Sequence, residues 1–143
     1  MKLSHWCSAV VLAVGLGLSA SGVTAQETPV FKNYDDMRAQ LDELMMSRQI
    51  AAVMNRFGGS SDLSAEQVEQ LEARMRDMFP IDFKHVDVMR VDEMGGGWSQ
   101  ELYAYWTGLN YVFVTVLLHQ REDNLVALNI KFNTDFYKLI GSF

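Results

Sequence analysis

Apolar residues recur at helical spacing through Met37, Leu41, Leu44 and Met45, and just before them Asn33 is placed to cap a helix, with Asp35 and Asp36 near the positive end of its dipole. The stripe then drifts to Ile50, Val53, Met54 and Phe57, which predicts either a kink near Ser47-Arg48 or two successive helices burying different faces. Gly58-Gly59-Ser60-Ser61 ends this unit. Ser64 followed by Gln67 has the spacing of a capping box, with Leu63 and Val68 placed as a hydrophobic staple. Val68, Leu71, Met75 and Met78 supply the buried stripe of the helix that follows, and Pro80 stops it.

Beyond Pro80 the period changes from about 3.6 to 2, the mark of a sheet. Strands are predicted over Ile81–Glu93, Trp98–Thr107, Asn110–Gln120 and Leu125–Asn133, separated by Gly95-Gly96-Gly97, Gly108-Leu109 and Arg121-Glu122-Asp123-Asn124. A two-residue turn at Gly108-Leu109 sets Ala104 against Phe113, Leu102 against Thr115, Gln100 against Leu117 and Trp98 against His119. Alternation then gathers Trp98, Leu102, Ala104, Trp106, Phe113 and Leu117 on one face, continued by Val126, Leu128, Ile130 and Phe132. That is the face expected to lie under the helices. The other, with Tyr103, Tyr105, Val112, Val114 and Val116 beside Glu101, Asn129 and Lys131, is expected to form a homodimer interface, because an apolar column with a polar rim marks contact with another chain. Thr134–Ile140 closes the chain as a helical turn or short helix with Thr134 as cap. The expected fold class is α+β: two or three N-terminal helices on one face of a curved four-stranded antiparallel meander.

The N-terminus changes the picture of where such a domain works. Lys2, the apolar run Ala9–Leu18 and the small residues Val23-Thr24-Ala25 fit a signal peptide over residues 1–25 cleaved after Ala25, for a product in the periplasm or outside the cell. Residues 26–32 are a loose lead and 33–143 a single domain. The sole cysteine, Cys7, lies in the leader, so disulfides, thiol nucleophiles and cysteine-based zinc sites are not expected in the rest. A formal charge of −6 over 143 residues argues against nucleic acid and anionic membranes as partners, since both reward clustered cations.

Helices such as the Leu41–Phe57 stretch followed by the Trp98–Asn133 strands resemble the cystatin-like α+β roll of the nuclear transport factor 2 (NTF2) superfamily, in particular its small exported domains of unknown function. The resemblance implies a cone between helices and sheet that holds a small ligand, dimerisation through the outer sheet face and, in the enzymes of the superfamily, chemistry by acidic, His or Tyr side chains inside the cone. Here the inward row offers mostly hydrocarbon: Trp98, Leu102, Trp106, Phe113 and Leu117, with His119 at its end, are the candidate ligand-binding residues.

His119, with Gln100 one row away, is the candidate for acid-base work because an imidazole titrates near neutrality; a strand-end histidine bonded to a turn is the plainer alternative. His85, Asp82 and Asp87 resemble a metal trio by type, but Asp82 and His85 are three apart and so point to opposite faces of a strand. No metal site and no cofactor is expected from these residues. Gly95-Gly96-Gly97 lacks the following helix and Lys-Ser or Lys-Thr pair of a phosphate loop, and no Gly-x-Ser-x-Gly elbow is present. The methionines read as deformable core filler. The expected function is that of an exported, non-enzymatic module binding a small apolar ligand or a protein; the alternative is a small isomerase, hydrolase or dehydratase using His119.

Overall fold

A computed structural model describes residues 28–59, 62–141 and 143 of the chain. The expected leader and its cleavage after Ala25 lie outside the described residues. Along the chain run β1 (Val30–Phe31), α1 (Tyr34–Met46), α2 (Ile50–Arg56), α3 (Ala65–Met78), β2 (His85–Gly95), β3 (Trp98–Thr107), β4 (Asn110–Gln120), β5 (Leu125–Asn133) and α4 (Phe136–Ile140). Among these residues no helix is long and apolar enough to cross a membrane.

The helix signals act where the sequence places them. The Asn33 side chain accepts the Asp36 N–H, and Ser64 and Gln67 form both bonds of the capping box. Of the two alternatives near Ser47-Arg48, the chain takes the second: α1 ends and α2 begins anew. Arg48 sits at φ 57° in the left-handed region, and the Gln49 N–H turns back to the Leu44 carbonyl to close α1. A left-handed non-glycine is unfavourable by about 1–2 kcal/mol. It is held by the Arg48 guanidinium, which donates to Asp82 at 2.6 and 2.9 Å and to the Phe79 carbonyl at 2.7 Å.

The sheet corrects the expected architecture. It has five antiparallel strands in the order β1-β5-β4-β3-β2, and it is open and not curled into a roll. The fifth strand comes from the lead that was expected to be loose: Val30 and Phe31 pair with Val126 and Leu125. Arg56 fixes this segment by donating to the Thr28 and Val30 carbonyls at 2.8 and 2.9 Å while lying 3.9 Å over the Phe31 ring. The absence of a cone follows from where α4 goes. Its Phe136 packs edge-on against Phe113 at 5.4 Å, on the face opposite α1–α3, and Phe143 lies under Arg90 of β2. The helices α1–α3 fill one face of the sheet, and α4 with Phe143 touches part of the other, so among the described residues no hollow lies between helices and sheet. The cap of α4 is Asp135, one residue beyond the expected Thr134.

Strand β2 also starts later than its pattern suggested, at His85 instead of Ile81. Phe83 is drawn out of line by burial against Phe79 and by its N–H bond to the Met46 carbonyl.

The β3–β4 register agrees with the turn argument at every position, from Trp98↔His119 to Thr107↔Asn110. The assignment of faces is inverted. Tyr103, Tyr105, Val112, Val114 and Val116, expected at an interface, are fully buried beneath α1–α3 together with Met37, Leu41, Met45, Ile50, Val53 and Phe57. The expected row along β5 also breaks. A bulge between Leu117 and Leu118 of β4 and at Leu128 puts Ile130 and Phe132 opposite Val116 and Val114, on the helix face, while Val126 stays opposite His119.

Packing of the α1 stripe should dominate stability. Leu41→Ala, at a fully buried position, is expected to lower unfolding free energy by about 3 kcal/mol, and Ser64→Ala by about 1 kcal/mol through loss of the cap. Urea denaturation followed by circular dichroism checks both.

Candidate functional site

The densest chemistry lies where α1 crosses β3. Tyr34, Arg38 and Asp42 recur every fourth residue on α1, beside the apolar stripe of Met37, Leu41 and Met45. Glu101, Tyr103 and Tyr105 recur every second residue on the helix-facing side of β3. Four helical residues rise about 6.0 Å and two strand residues about 6.7 Å, so the two series keep step over this length.

Each step is made by a named contact. The Tyr34 hydroxyl donates to Glu101 Oε2 at 2.9 Å, and the Tyr103 hydroxyl donates to the same oxygen. The Arg38 guanidinium lies 4.3 Å over the Tyr103 ring and donates to both oxygens of Asp42 at 2.9 and 3.0 Å. Tyr105 donates to Asp42 Oδ1 at 2.7 Å.

Electrostatics defines what this seam can do. Burial, and then the hydrogen bond and charge of Glu101, push the Tyr103 hydroxyl well above the usual phenol range; burial and Asp42 do the same to Tyr105. Tyr34 is raised more mildly, again by burial first and Glu101 second. Burial disfavours the Arg38 cation, but the bonds and charge of Asp42 override it and hold its pKa above the ordinary value. Three phenols kept protonated are hydrogen-bond donors, not bases or nucleophiles, and their protons are committed to the two carboxylates. The groove beside α3, about 170 Å³ and lined by Leu71, Met75, Met78, Val112, Phe132, Asn133 and Thr134, is bordered by none of these groups. The seam is a lock between helix and sheet.

The residues singled out from the sequence lie on the other face. Trp98, Leu102, Trp106, Phe113, Leu117 and His119 do share one side of the sheet, as alternation requires, but it is the side away from α1–α3. Leu102 and Ala104 are buried there, on the face that α4 and Phe143 approach. His119 stacks on Trp98 at 4.3 Å, and Gln100 sits opposite Leu117 on the same face. The histidine therefore stands on an open sheet face and not inside a cone. His85 stacks on Trp106 at 5.1 Å while Asp82 turns to Arg48, so the trio with Asp87 is not assembled. Among the described residues no three His, Cys, Asp or Glu side chains are grouped for a metal ion.

What this face does assemble is a row of rings. His85, Trp106, Tyr111 and Phe113 stand side by side at 5.1, 5.7 and 6.2 Å with planes within 25° of parallel, and Phe136 and Tyr137 extend the row edge-on at 5.4 and 5.5 Å. It crosses β2, β3 and β4 and ends on α4. Two of its members are accessible: Tyr111 is 40% exposed and Tyr137, at the end, 81%. Leu109, in the adjoining turn, is 92% exposed. The signal for the row was present in the sequence, in Trp106 and Tyr111 flanking a two-residue turn; the contribution of His85, Phe136 and Tyr137 depends on tertiary structure. The signal for the seam was the pair of series Tyr34-Arg38-Asp42 and Glu101-Tyr103-Tyr105 along the apolar stripes; the second was assigned to the interface face, and the first drew no reading.

Compared with family models, with curated proteins and with solved structures, the chain matches none.

Because the folded state holds the Tyr103 and Tyr105 protons above the ordinary value of 10.0, the stability they lend is complete below that pH and is lost as pH rises beyond it. Urea midpoints measured from pH 8 upward should fall steeply past about pH 10, the pH at which free phenols ionise. Tyr103→Phe should lower stability by about 2 kcal/mol at neutral pH, as expected for a hydrogen bond to a charged acceptor, and flatten the alkaline slope.

Proposed function

We propose that the protein is a non-enzymatic interaction module that binds a partner protein through the aromatic end of its outer sheet face. The observation that carries this reading is the row from His85 to Tyr137 with Leu109 standing beyond it. Rings that support one another face to face have little freedom left to lose on binding, and Trp and Tyr are the residue types that dominate contact energy between proteins. Their planes stand side by side, so the surface they offer is largely of ring edges, suited to an apolar pocket of a protein and less suited to the flat face of a sugar. The two-residue turn has its glycine first, Gly108 at φ 57°, a geometry that leaves the second position open to many residue types; the leucine standing there, 92% exposed, is available as an anchor.

A small apolar ligand between helices and sheet is the weaker reading, since that space is filled by Tyr103, Tyr105, the β4 valines and the α1 stripe. The groove beside α3, at about 170 Å³, is below the roughly 300 Å³ of ordinary small-molecule sites.

The test compares proteins retained by the immobilised full chain with those retained by Leu109→Asp and by Tyr111→Ala, each shown by its melting curve to be folded. A protein held by the wild type should bind at least about tenfold more weakly to either variant, as for truncation at a contact hot spot. Partners held equally by all three proteins would place the binding surface elsewhere.

A further inference from the structure

The two ends of the sheet are not alike. At one end β1 is two residues long and its segment is fixed by Arg56. At the other, β2 has eleven residues, pairs only with β3, and is exposed along nearly its whole length. Val88, Met89, Val91 and Met94 are each between 43% and 55% exposed, so beyond the contacts of Val86 with the core and of Arg90 with Phe143 the strand is largely uncovered. A long bare edge with apolar side chains is a template for another strand.

The direction of the free backbone groups can be worked out. The Trp106 carbonyl accepts the Lys84 N–H, so Trp106 points its peptide groups toward β2, and by alternation so do Ala104, Leu102 and Gln100. Their partners Asp87, Arg90 and Asp92 are thereby engaged with β3, while Val91 and Glu93 direct their N–H and C=O to the open edge. Within Arg90–Glu93 the strand is regular, between irregularities at Val88/Arg90 and Glu93/Gly95.

We infer that β2 pairs with β2 of a second copy of this chain, antiparallel about a two-fold axis at Val91, to give one sheet of twice the width. The occupant follows from the charges. With the axis at Val91, Arg90 of each copy stands opposite Asp92 of the other, within the regular stretch, while Val91 meets its own mate. Moving the axis to Glu93 opposes like charges, and moving it to Val88 puts the bulge at the centre. Arg90 and Asp92 already attract each other within the strand at 2.7 Å, with 45% and 36% of their side chains exposed, so both charges are at the edge and on one face when the copies meet. The lone pattern of one cation among Asp87, Asp92 and Glu93 would repel a wholly acidic strand and accepts its own reverse.

Sedimentation velocity on the full chain reads the outcome. The wild type should be a dimer. Arg90→Asp and Asp92→Arg should each weaken association about tenfold or more by setting like charges opposite one another, and the double variant R90D/D92R should restore it. Val91→Pro removes the central N–H and should give a folded monomer whose melting temperature no longer depends on protein concentration. Should the charge variants fold poorly, Val91→Cys in a Cys7→Ser background supplies an independent measurement: directly opposed bonded residues lie about 5.5 Å apart at Cα, within disulfide reach, so mild oxidation should link the copies, whereas Glu93→Cys should not link. A monomeric wild type, a dimer indifferent to these changes, or equal cross-linking from both cysteines would overturn the inference. Leu109→Asp and Tyr111→Ala lie on a different surface and should leave the dimer intact, so this result and the partner-binding result fail separately.

Discussion

The seam between α1 and β3 decides which way the sheet faces. A carboxylate taken out of water is unfavourable by several kcal/mol unless donors meet it, and Glu101, 4% exposed, is met by two phenols from two elements. Those phenols cannot reach it unless Tyr103 points toward α1, and Tyr103 cannot point toward α1 without carrying Tyr105 and, across the register, Val112, Val114 and Val116 with it. The polar contacts are therefore directional where the apolar ones are not. Hydrocarbon packing would accept either face of β4; the match of helical and extended rise along Tyr34-Arg38-Asp42 and Glu101-Tyr103-Tyr105 accepts one.

This is also why so much of the fold, and not its inside, could be read from the chain. Caps, breaks and turns are local: Asn33, the Ser64-Gln67 box, the three strands from Trp98 to Asn133 and the Gly108-Leu109 register stand where their neighbours in sequence put them. Which residues of β3 and β4 share a face is local too. Which face is roofed is not, because both faces of β3 and β4 carry large apolar side chains and the deciding terms come from α1, 67 residues away along the chain at the Tyr34–Glu101 bond, and from the C-terminal helix packed on the other face at Phe113. Tyrosine was the misleading residue type: two hydroxyls read as surface turned out to be buried with acceptors supplied. The bulge at Leu128 and the two residues of β1 were unreadable for the same reason, being set by partners and not by neighbours.

A strand register can be correct while every inference drawn from its orientation is reversed. The rolled cone expected by resemblance, the ligand row within it and the interface outside it all followed from one choice of side, and the open sheet flanked on both faces removes that choice's premise. The set Trp98, Leu102, Trp106, Phe113, Leu117 and His119 survives as a set because alternation is a covalent property of the strand. Its surroundings do not survive.

The two faces then divide the work between holding and contacting. Inside, the carboxylates of Glu101 and Asp42 are met by donors and the phenols keep their protons, leaving only Arg38 Nε without a partner among the seam's buried side-chain atoms, so the region richest in chemical groups is largely committed to itself. Outside, the C-terminal residues pack at Phe113 and Arg90, while the rings at one end and the bare strand at one side combine apolar area with geometry that is already set. Binding free energy comes from surface that is both dehydratable and preorganised. Among the described residues those two properties meet at the aromatic end and along β2, where exposed rings and an unpaired strand edge are already held in place.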